Sequence, residues 1–252
     1  MQGQWTVRIW GTRGTFPTAD KRFAKYGGST CCLSIETKDS ILILDAGSGI
    51  TEAAEFFKKD TRPVFLLIGH MHIDHICGLF MCRLPELSIY GPAGTADALH
   101  TLFAPPYWPV WLFEQAQIHE LAGGQSFFLG GLTINTLTAN HPGGGLLYRI
   151  SDGQRCLSYA LDQELTGVVS EGLRAFVKNS GLLIWDASYE EKAPSGWGHS
   201  SIRQGVVFAR SAGAGKVVMT HYGLTDDDLD RISAGYEGRD VIFAREGMVI
   251  EL

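Results

Sequence analysis

Charge is scarce in this 252-residue chain, and what there is leans acidic. Charged residues make up 19% of it, against roughly 25% in an ordinary domain. The 21 Lys and Arg set against 27 Asp and Glu leave a formal charge of −6. A protein that coats nucleic acid carries a basic stripe along the phosphates, so nucleic acid is not the expected partner. A small phosphorylated substrate held locally remains open. Five cysteines, Cys31, Cys32, Cys77, Cys82 and Cys156, are an odd number at irregular spacing. That argues against a disulfide framework and for a cytoplasmic location. Cys77 and Cys82 lack the second pair that a tetrahedral thiolate site needs. No run reaches the roughly 18 apolar residues of a membrane span, and the first residues form no basic-then-apolar leader. No membrane association is expected. No linker, fixed short repeat or low-complexity tract divides the chain, so residues 1–252 are expected to form one domain. With 45% apolar residues a large core is available, and disorder is excluded.

Two common catalytic patterns are also missing. GAGK at 213–216 is not a phosphate-binding loop, because Arg210 and Val217 stand where a Gly and a Ser or Thr are required. Ala46 breaks the G-x-S-x-G pattern around Ser48.

Four short apolar runs are present: ILILDAG at 41–47, VFLLIGH at 64–70, LLIWDAS at 182–188 and KVVMTHYG at 216–223. None alternates with polar residues, so each predicts a strand covered on both faces. Each run also finishes in an acid or a histidine: Asp45, His70, Asp186 and His221. Polar side chains at the ends of buried strands predict a site along one edge of the sheets. Helical spacing fills the gaps. Ile50, Ala53, Ala54 and Phe57 follow it, as do Leu165, Val168, Val169, Leu173, Phe176 and Val177. Ser201 with Gln204 predicts a capping box opening a helix over 201–212. Thr225 with Asp226, Asp227 and Asp228 predicts another start, its acids suited to the positive end of the helix dipole. Residues 119–160 read as strands and turns.

Of eight histidines, three fall in one six-residue window, His70-Met71-His72-Ile73-Asp74-His75. In an extended segment the i, i+2 spacing turns His70 and His72 to one side, within reach of one cation. Asp74 and His75 then face a neighbouring position. Three imidazoles and a carboxylate crowded at the end of a buried strand would be costly without a metal.

HMHIDHICGL resembles the HxHxDHxxG signature of the metallo-β-lactamase superfamily, with His70, His72, Asp74, His75 and Gly78 in place. GTRGTFPT, LDAGSG, NHPGG, YALD, GHSS and THYG follow the family's order along the chain. The resemblance implies an α/β four-layer αββα sandwich, two mixed β-sheets flanked by helices. It implies two divalent metal ions as cofactors, Zn²⁺ first, with Mn²⁺ or Fe²⁺ left open by the nitrogen and oxygen donors. One ion would take His70, His72 and His141, the other Asp74, His75 and His221, with Asp162 bridging both. His100 and His119 fall outside the motifs and read as ordinary surface or structural residues.

Such a pair of ions supplies hydroxide at neutral pH and clamps the oxygens of an in-line displacement. Asp74 is counted with the catalytic residues as well as the ligands. The aspartate at 162 resembles the bridge of phosphodiesterases, glyoxalase II and lactonases, where the classical β-lactamases commonly carry a cysteine. His72 argues against the flavodiiron oxidoreductases, which typically have a glutamate in that position. WGHSS places His199 where the tRNA 3′-processing endonuclease (RNase Z) and the phosphoribosyl cyclic phosphodiesterases have a histidine that assists phosphodiester cleavage. It stands just before the helix at 201, whose positive end should ease loss of its proton. ANHPGGGLLYRI is also closer to that branch than to the PGHTPG of glyoxalase-type enzymes. No basic insertion that would grip tRNA is present, and the cysteine spacings do not match the extra metal site of the phosphoribosyl enzymes. The expected activity is therefore hydrolysis of a small phosphodiester, a cyclic nucleotide or cyclic sugar phosphate. The rivals are a carboxylic ester, thioester or lactone hydrolase, a tRNA-processing-like endonuclease, and a non-catalytic metal-binding sensor. Arg13 is a candidate for binding a phosphate oxygen. FAPPYWPVWLF at 103–113 reads as a substrate lid using Tyr107 and Trp108, as a homodimer patch, or as a core-packing loop.

Overall fold

The computed structural model describes residues 4–252 apart from 83, 85–86, 110–112, 114–115, 168 and 237–239. Among the described residues the chain first lays down β1 (Thr6–Gly11), β2 (Cys32–Glu36), β3 (Ile41–Leu44), β4 (Val64–Leu67), β5 (Ser88–Pro92) and β6 (Gln117–Leu121). A second sheet follows from β7 (Ser126–Leu129), β8 (Leu132–Thr138), β9 (Leu146–Ser151), β10 (Cys156–Ala160), β11 (Leu182–Asp186), β12 (Lys216–Thr220) and β13 (Val241–Phe243). The last strand, β14 (Val249–Glu251), returns to pair with β1. The spatial orders are β14-β1-β2-β3-β4-β5-β6 and β13-β12-β11-β10-β9-β8-β7. Each sheet is mixed: β3 to β6 run parallel in one, as do β10 to β13 in the other.

The four apolar runs form β3, β4, β11 and β12, and their lack of polar alternation has a direct cause. In β3, Leu42 and Leu44 face the core between the sheets while Ile41 and Ile43 face the outer helical layer. In β11, Leu182 and Ile184 face inward while Leu183 and Trp185 pack outward. Helices cover both outer faces, giving the four-layer αββα sandwich that the resemblance implies.

α1 (Ile50–Phe57), α2 (Ile73–Ile76) and α3 (Thr95–Leu102) belong to the first half, and α4 (Glu171–Val177), α5 (Ile202–Ala212) and α6 (Asp226–Ala234) to the second. α1 buries Ile50, Ala53, Ala54 and Phe57, the four residues at helical spacing. α5 opens with the capping box of Ser201 and Gln204, and α6 with one formed by Thr225 and Asp228. Gly205 lets α5 lie directly on β11, because a Cβ there would sit 2.3 Å from Trp185 Cδ1. The helical pattern that begins at Leu165 is realised only from Glu171. Ser170 caps α4 by accepting the Leu173 N–H, which fixes the start of the helix. Leu165 and Val169 pack against the same core from outside the helix, and Val168 lies outside the described residues. Among the described residues no helix is long and apolar enough to cross a membrane.

Candidate metal and catalytic centre

The site gathers at the edge where several strands end. Asp45 follows β3, His70 lies three residues beyond β4, and α2 carries Asp74 and His75. From the second sheet His141 follows β8, Asp162 follows β10, Asp186 ends β11 and His221 follows β12. Asp45, Asp162 and His221 have φ of 59°, 51° and 62°. This left-handed conformation is uncommon outside glycine, and it persists only where the surroundings over-determine it.

Asp162 occupies the middle. Its Oδ2 lies 3.1 Å from His70 Nε2, 3.2 Å from His75 Nε2 and 3.7 Å from His141 Nε2. Its Oδ1 lies 3.0 Å from His221 Nε2, which is also 3.2 Å from Asp74 Oδ2 and 3.3 Å from His75 Nε2. His141 Nε2 is 3.1 Å from His72 Nδ1. His70, His72, His141 and Asp162 thus converge as one donor set.

These atoms are close without being satisfied. His70 Nε2 and Asp162 Oδ1 are buried with no hydrogen-bond partner, an arrangement that costs free energy unless something else binds there. Zinc takes N and O ligands at about 2.0–2.2 Å, so neighbouring corners of a tetrahedron are about 3.3–3.6 Å apart. The observed spacings bracket that range, and the residues fit divalent cations.

A surrounding shell aims the rings. Asp45 Oδ2 accepts His75 Nδ1–H at 2.7 Å, while Asp45 also accepts the Gly69 N–H and the Tyr159 hydroxyl. The Gly198 carbonyl accepts His141 Nδ1–H at 2.9 Å, and Ser188 Oγ lies 2.9 Å from His221 Nδ1. Each contact leaves Nε2 facing the centre. The Thr15 N–H holds Asp74 Oδ2 at 2.7 Å.

Burial pushes the His70 imidazolium down to about 4, so that ring is neutral at pH 7. Burial also opposes charge on His221, but Asp162, Asp74 and Asp186 outweigh it and push the group up to about 9. His75 is raised in the same way by Asp45, Asp162 and Asp74 against its burial. Asp162 and Asp74 stay ionised despite burial because His221 and His75 face them. Without cations, protons on His75 and His221 balance the carboxylates, and bound cations would displace them.

His199 stands beside this centre, its ring stacked 5.2 Å from that of His221. Its Nδ1 is 2.9 Å from Asp186 Oδ2. A cavity of about 470 Å³ opens over the site, lined by Thr15, His72, Ile73, Asp74, His141, Pro142, Asp162, Gly196, Trp197 and His199.

Residues 41–222 match the family described as beta-lactamase superfamily domain. The chain belongs to this superfamily. It is a hydrolase of the metallo-β-lactamase fold with a His/Asp cluster that could hold metal. Ribonuclease Z of Thermoplasma acidophilum is 23% identical, with 94% of each chain covered. The crystal structure of the metallo-β-lactamase fold protein YhfI from Bacillus subtilis superposes with TM-score 0.76 at 21% identity, covering 99% of both chains. A diphosphatase of the PhnP family superposes with TM-score 0.77 at 16% identity, covering 100% of this chain and 98% of that one.

The seven side chains expected to hold metal, His70, His72, Asp74, His75, His141, Asp162 and His221, are brought together with His199. Three other expected site residues are not. Arg13 is a brace: its guanidinium donates to the Gly27 and Leu224 carbonyls and pairs with Asp226 at 3.0 Å, with 3% of the side chain exposed. Turned to these partners and buried, it does not line the cavity. Tyr107 and Trp108 do not line the cavity either. The Trp108 ring packs 5.0 Å from Phe80, which packs on buried Phe103, whereas Tyr107 is 69% exposed. Val110, Trp111 and Leu112 of the same segment lie outside the described residues.

Two neighbours were not singled out as site residues from the sequence. Asp186 was visible as the acid ending a buried run, but its partner His199 is 13 positions away and only the fold joins them. Cys31 lies close to His75 and His221. Burial, then Asp74 and Asp162, push its thiol well up, and it donates to the Arg13 carbonyl. It is a packed thiol.

Proposed function

We propose that the chain is a dinuclear-metal phosphodiesterase acting on a small phosphodiester, a cyclic nucleotide or cyclic sugar phosphate. One ion would be held by His70, His72 and His141 and the other by Asp74, His75 and His221, with Asp162 between them. Two divalent ions so held activate a water and screen the charge on the phosphate oxygens. Zn²⁺ suits the nitrogen and oxygen donors, as do Mn²⁺ and Fe²⁺.

The observation that carries the reading is the placement of His199. Its Nδ1 is tied to a fully buried carboxylate, Asp186, while the ring lines the cavity beside Asp162. That tie fixes the ring and leaves Nε2 as the nitrogen able to meet a leaving oxygen. As water adds to phosphorus and the ester P–O bond breaks, the proton on His199 Nε2 goes to the departing oxygen. Hydrolysis of a carbonyl ester with a good leaving group has less need of such a donor. Charge favours a small substrate: among the described residues no Lys or Arg lines the cavity, and the net charge is −6. A long polyanion would find little to hold it. The name of the Thermoplasma relative keeps tRNA-type substrates in the comparison.

The test is parallel turnover, by protein loaded with Zn²⁺ or Mn²⁺, of a bis-aryl phosphate, a cyclic nucleotide, a precursor tRNA and a lactone. Cleavage of the two small phosphodiesters is expected. Robust lactone hydrolysis with no phosphodiester cleavage would overturn the assignment.

A further inference from the structure

The cavity has a polar floor and an apolar wall, and the wall has a distinct origin. Trp197 lines it with 65% of its surface exposed, and Ile73 lines it with 54% exposed. An indole left that open forgoes the gain of burying a large apolar ring. The loop is nonetheless held firmly. Trp197 lies between Gly196 and Gly198, at φ of 82° and 78°. Both glycine N–H groups donate to the Glu164 carboxylate at 2.9 Å. Glu164 is in turn tied through its backbone to Asn140, the neighbour of His141, by bonds of 3.0 Å. A carboxylate is thus used to fix the two amides that flank an exposed tryptophan.

The same few residues serve the metal centre. The Gly198 carbonyl orients His141, and His199 follows directly. The backbone that carries the indole is therefore held beside the candidate metal centre, two residues from the proposed proton donor. Among the described residues no Lys or Arg lines the cavity, so its wall offers no side-chain cation to a second anionic group, while the open indole suits a flat, uncharged one.

We propose that Trp197 is a stacking platform for a nucleobase, which makes nucleotides, not base-free sugar phosphates, the substrate class of this site. The proposal rests on the phosphodiesterase reading above, and it names a specificity residue that the metal ligands do not imply.

The experiment compares metal-loaded wild type, Trp197→Ala and Trp197→Phe on 2′,3′-cyclic AMP and on methyl ribofuranoside 2,3-cyclic phosphate, which has no base. Binding of AMP and of ribose 5-phosphate is followed separately by tryptophan fluorescence. Trp197→Ala should raise KM for cyclic AMP roughly 5- to 150-fold, the range for stacking one base on one aromatic ring. Its kcat should stay within about 3-fold, and the base-free ester should be unaffected, because His199 and the ligands are untouched. Trp197→Phe should recover most of the loss. AMP should quench wild-type fluorescence, ribose 5-phosphate should not, and Trp197→Phe should abolish the quench although five other tryptophans remain. Equal effects of Trp197→Ala on both esters, no effect on either, or equal binding of AMP and ribose 5-phosphate would overturn the platform. Failure to cleave either ester, with the AMP quench intact and dependent on Trp197, would sink the phosphodiesterase reading and support the platform.

Discussion

Asp186→Asn is the most informative single change, because it alters charge and one acceptor while keeping shape. In the fully buried wild-type side chain, Oδ1 accepts the Ser188 N–H at 2.9 Å and its hydroxyl at 2.6 Å. Oδ2 accepts His199 Nδ1–H at 2.9 Å and the Ser200 N–H at 3.1 Å. Asparagine has one acceptor oxygen, so its amide N–H₂ must face one pair of donors. Facing Ser188 is cheaper, since that hydroxyl can turn and accept, leaving a single backbone N–H without a partner. A buried donor left so costs about 1–3 kcal/mol, which is the expected loss of stability. His199 would then keep an acceptor but lose the ionic component of its bond. Charge-assisted bonds are roughly twice as strong as neutral ones, so kcat should fall about 10- to 100-fold, with metal content and KM little changed. The assay is steady-state turnover of a cyclic nucleotide with metal analysis and urea unfolding, run also in a His199→Ala background. If Asp186 acts through His199, the second substitution adds almost nothing to the first. An equal loss in both backgrounds would refute this and point instead to His221, whose Nδ1 lies 3.7 Å from Asp186 Oδ1.

Three other outcomes are expected. His199→Ala should retain two metals and lose about 10²–10⁴-fold in rate, whereas Asp162→Ala should lose metal; elemental analysis beside turnover separates them, and unchanged turnover in the first would end the proton-donor role. Gly205→Ala should destabilise by about 1–3 kcal/mol despite the better helix propensity of alanine, because the new Cβ meets Trp185 at 2.3 Å; a thermal midpoint equal to wild type would contradict the packing argument. In chelator-treated protein, His221 has its pKa raised from 6.5 to about 9, so its stabilising contribution is fully present below about pH 6.5 and is lost as pH rises through about 9. Urea midpoints from pH 6 to 10 should fall more steeply in wild type than in His221→Asn, and parallel curves would refute the assignment.

The inner strands were legible because both of their faces are apolar, and the four-layer arrangement followed from the resemblance. ILIL, VFLL, LLIWD and KVVMT needed no alternation to be read as covered strands, and the acids and histidines that end them marked the edge where the site lies. The capping box of Ser201 and Gln204 located α5, and Thr225 followed by three acids located the start of α6, since a side chain that accepts from N3 leaves a local signature. The start of α4 was misjudged for the complementary reason: Leu165 and Val169 pack on the same core without being helical, so apolar spacing ran past the cap. Arg13 was ambiguous because its partners, Gly27, Leu224 and Asp226, are up to 213 positions away. The Trp197 platform was hidden likewise. Nothing near the tryptophan shows that Glu164, 32 residues before Gly196, holds the loop around it.

The seven side chains proposed as ligands are shared between two sheets, which among the described residues are joined by side-chain packing and by a few hydrogen bonds. The Tyr148 hydroxyl reaches the Ile68 carbonyl at 2.7 Å, and the Leu146 N–H reaches the Gly69 carbonyl at 2.8 Å, both beside His70. Ions drawn to Asp162 would act as rivets driven through the rim of a clam shell, whose valves otherwise grip by oily contact and a few polar bonds. Slippage of one valve by an ångström would pull four donors from three. The catalytic spacing is thereby a gauge of how tightly the whole sandwich is shut.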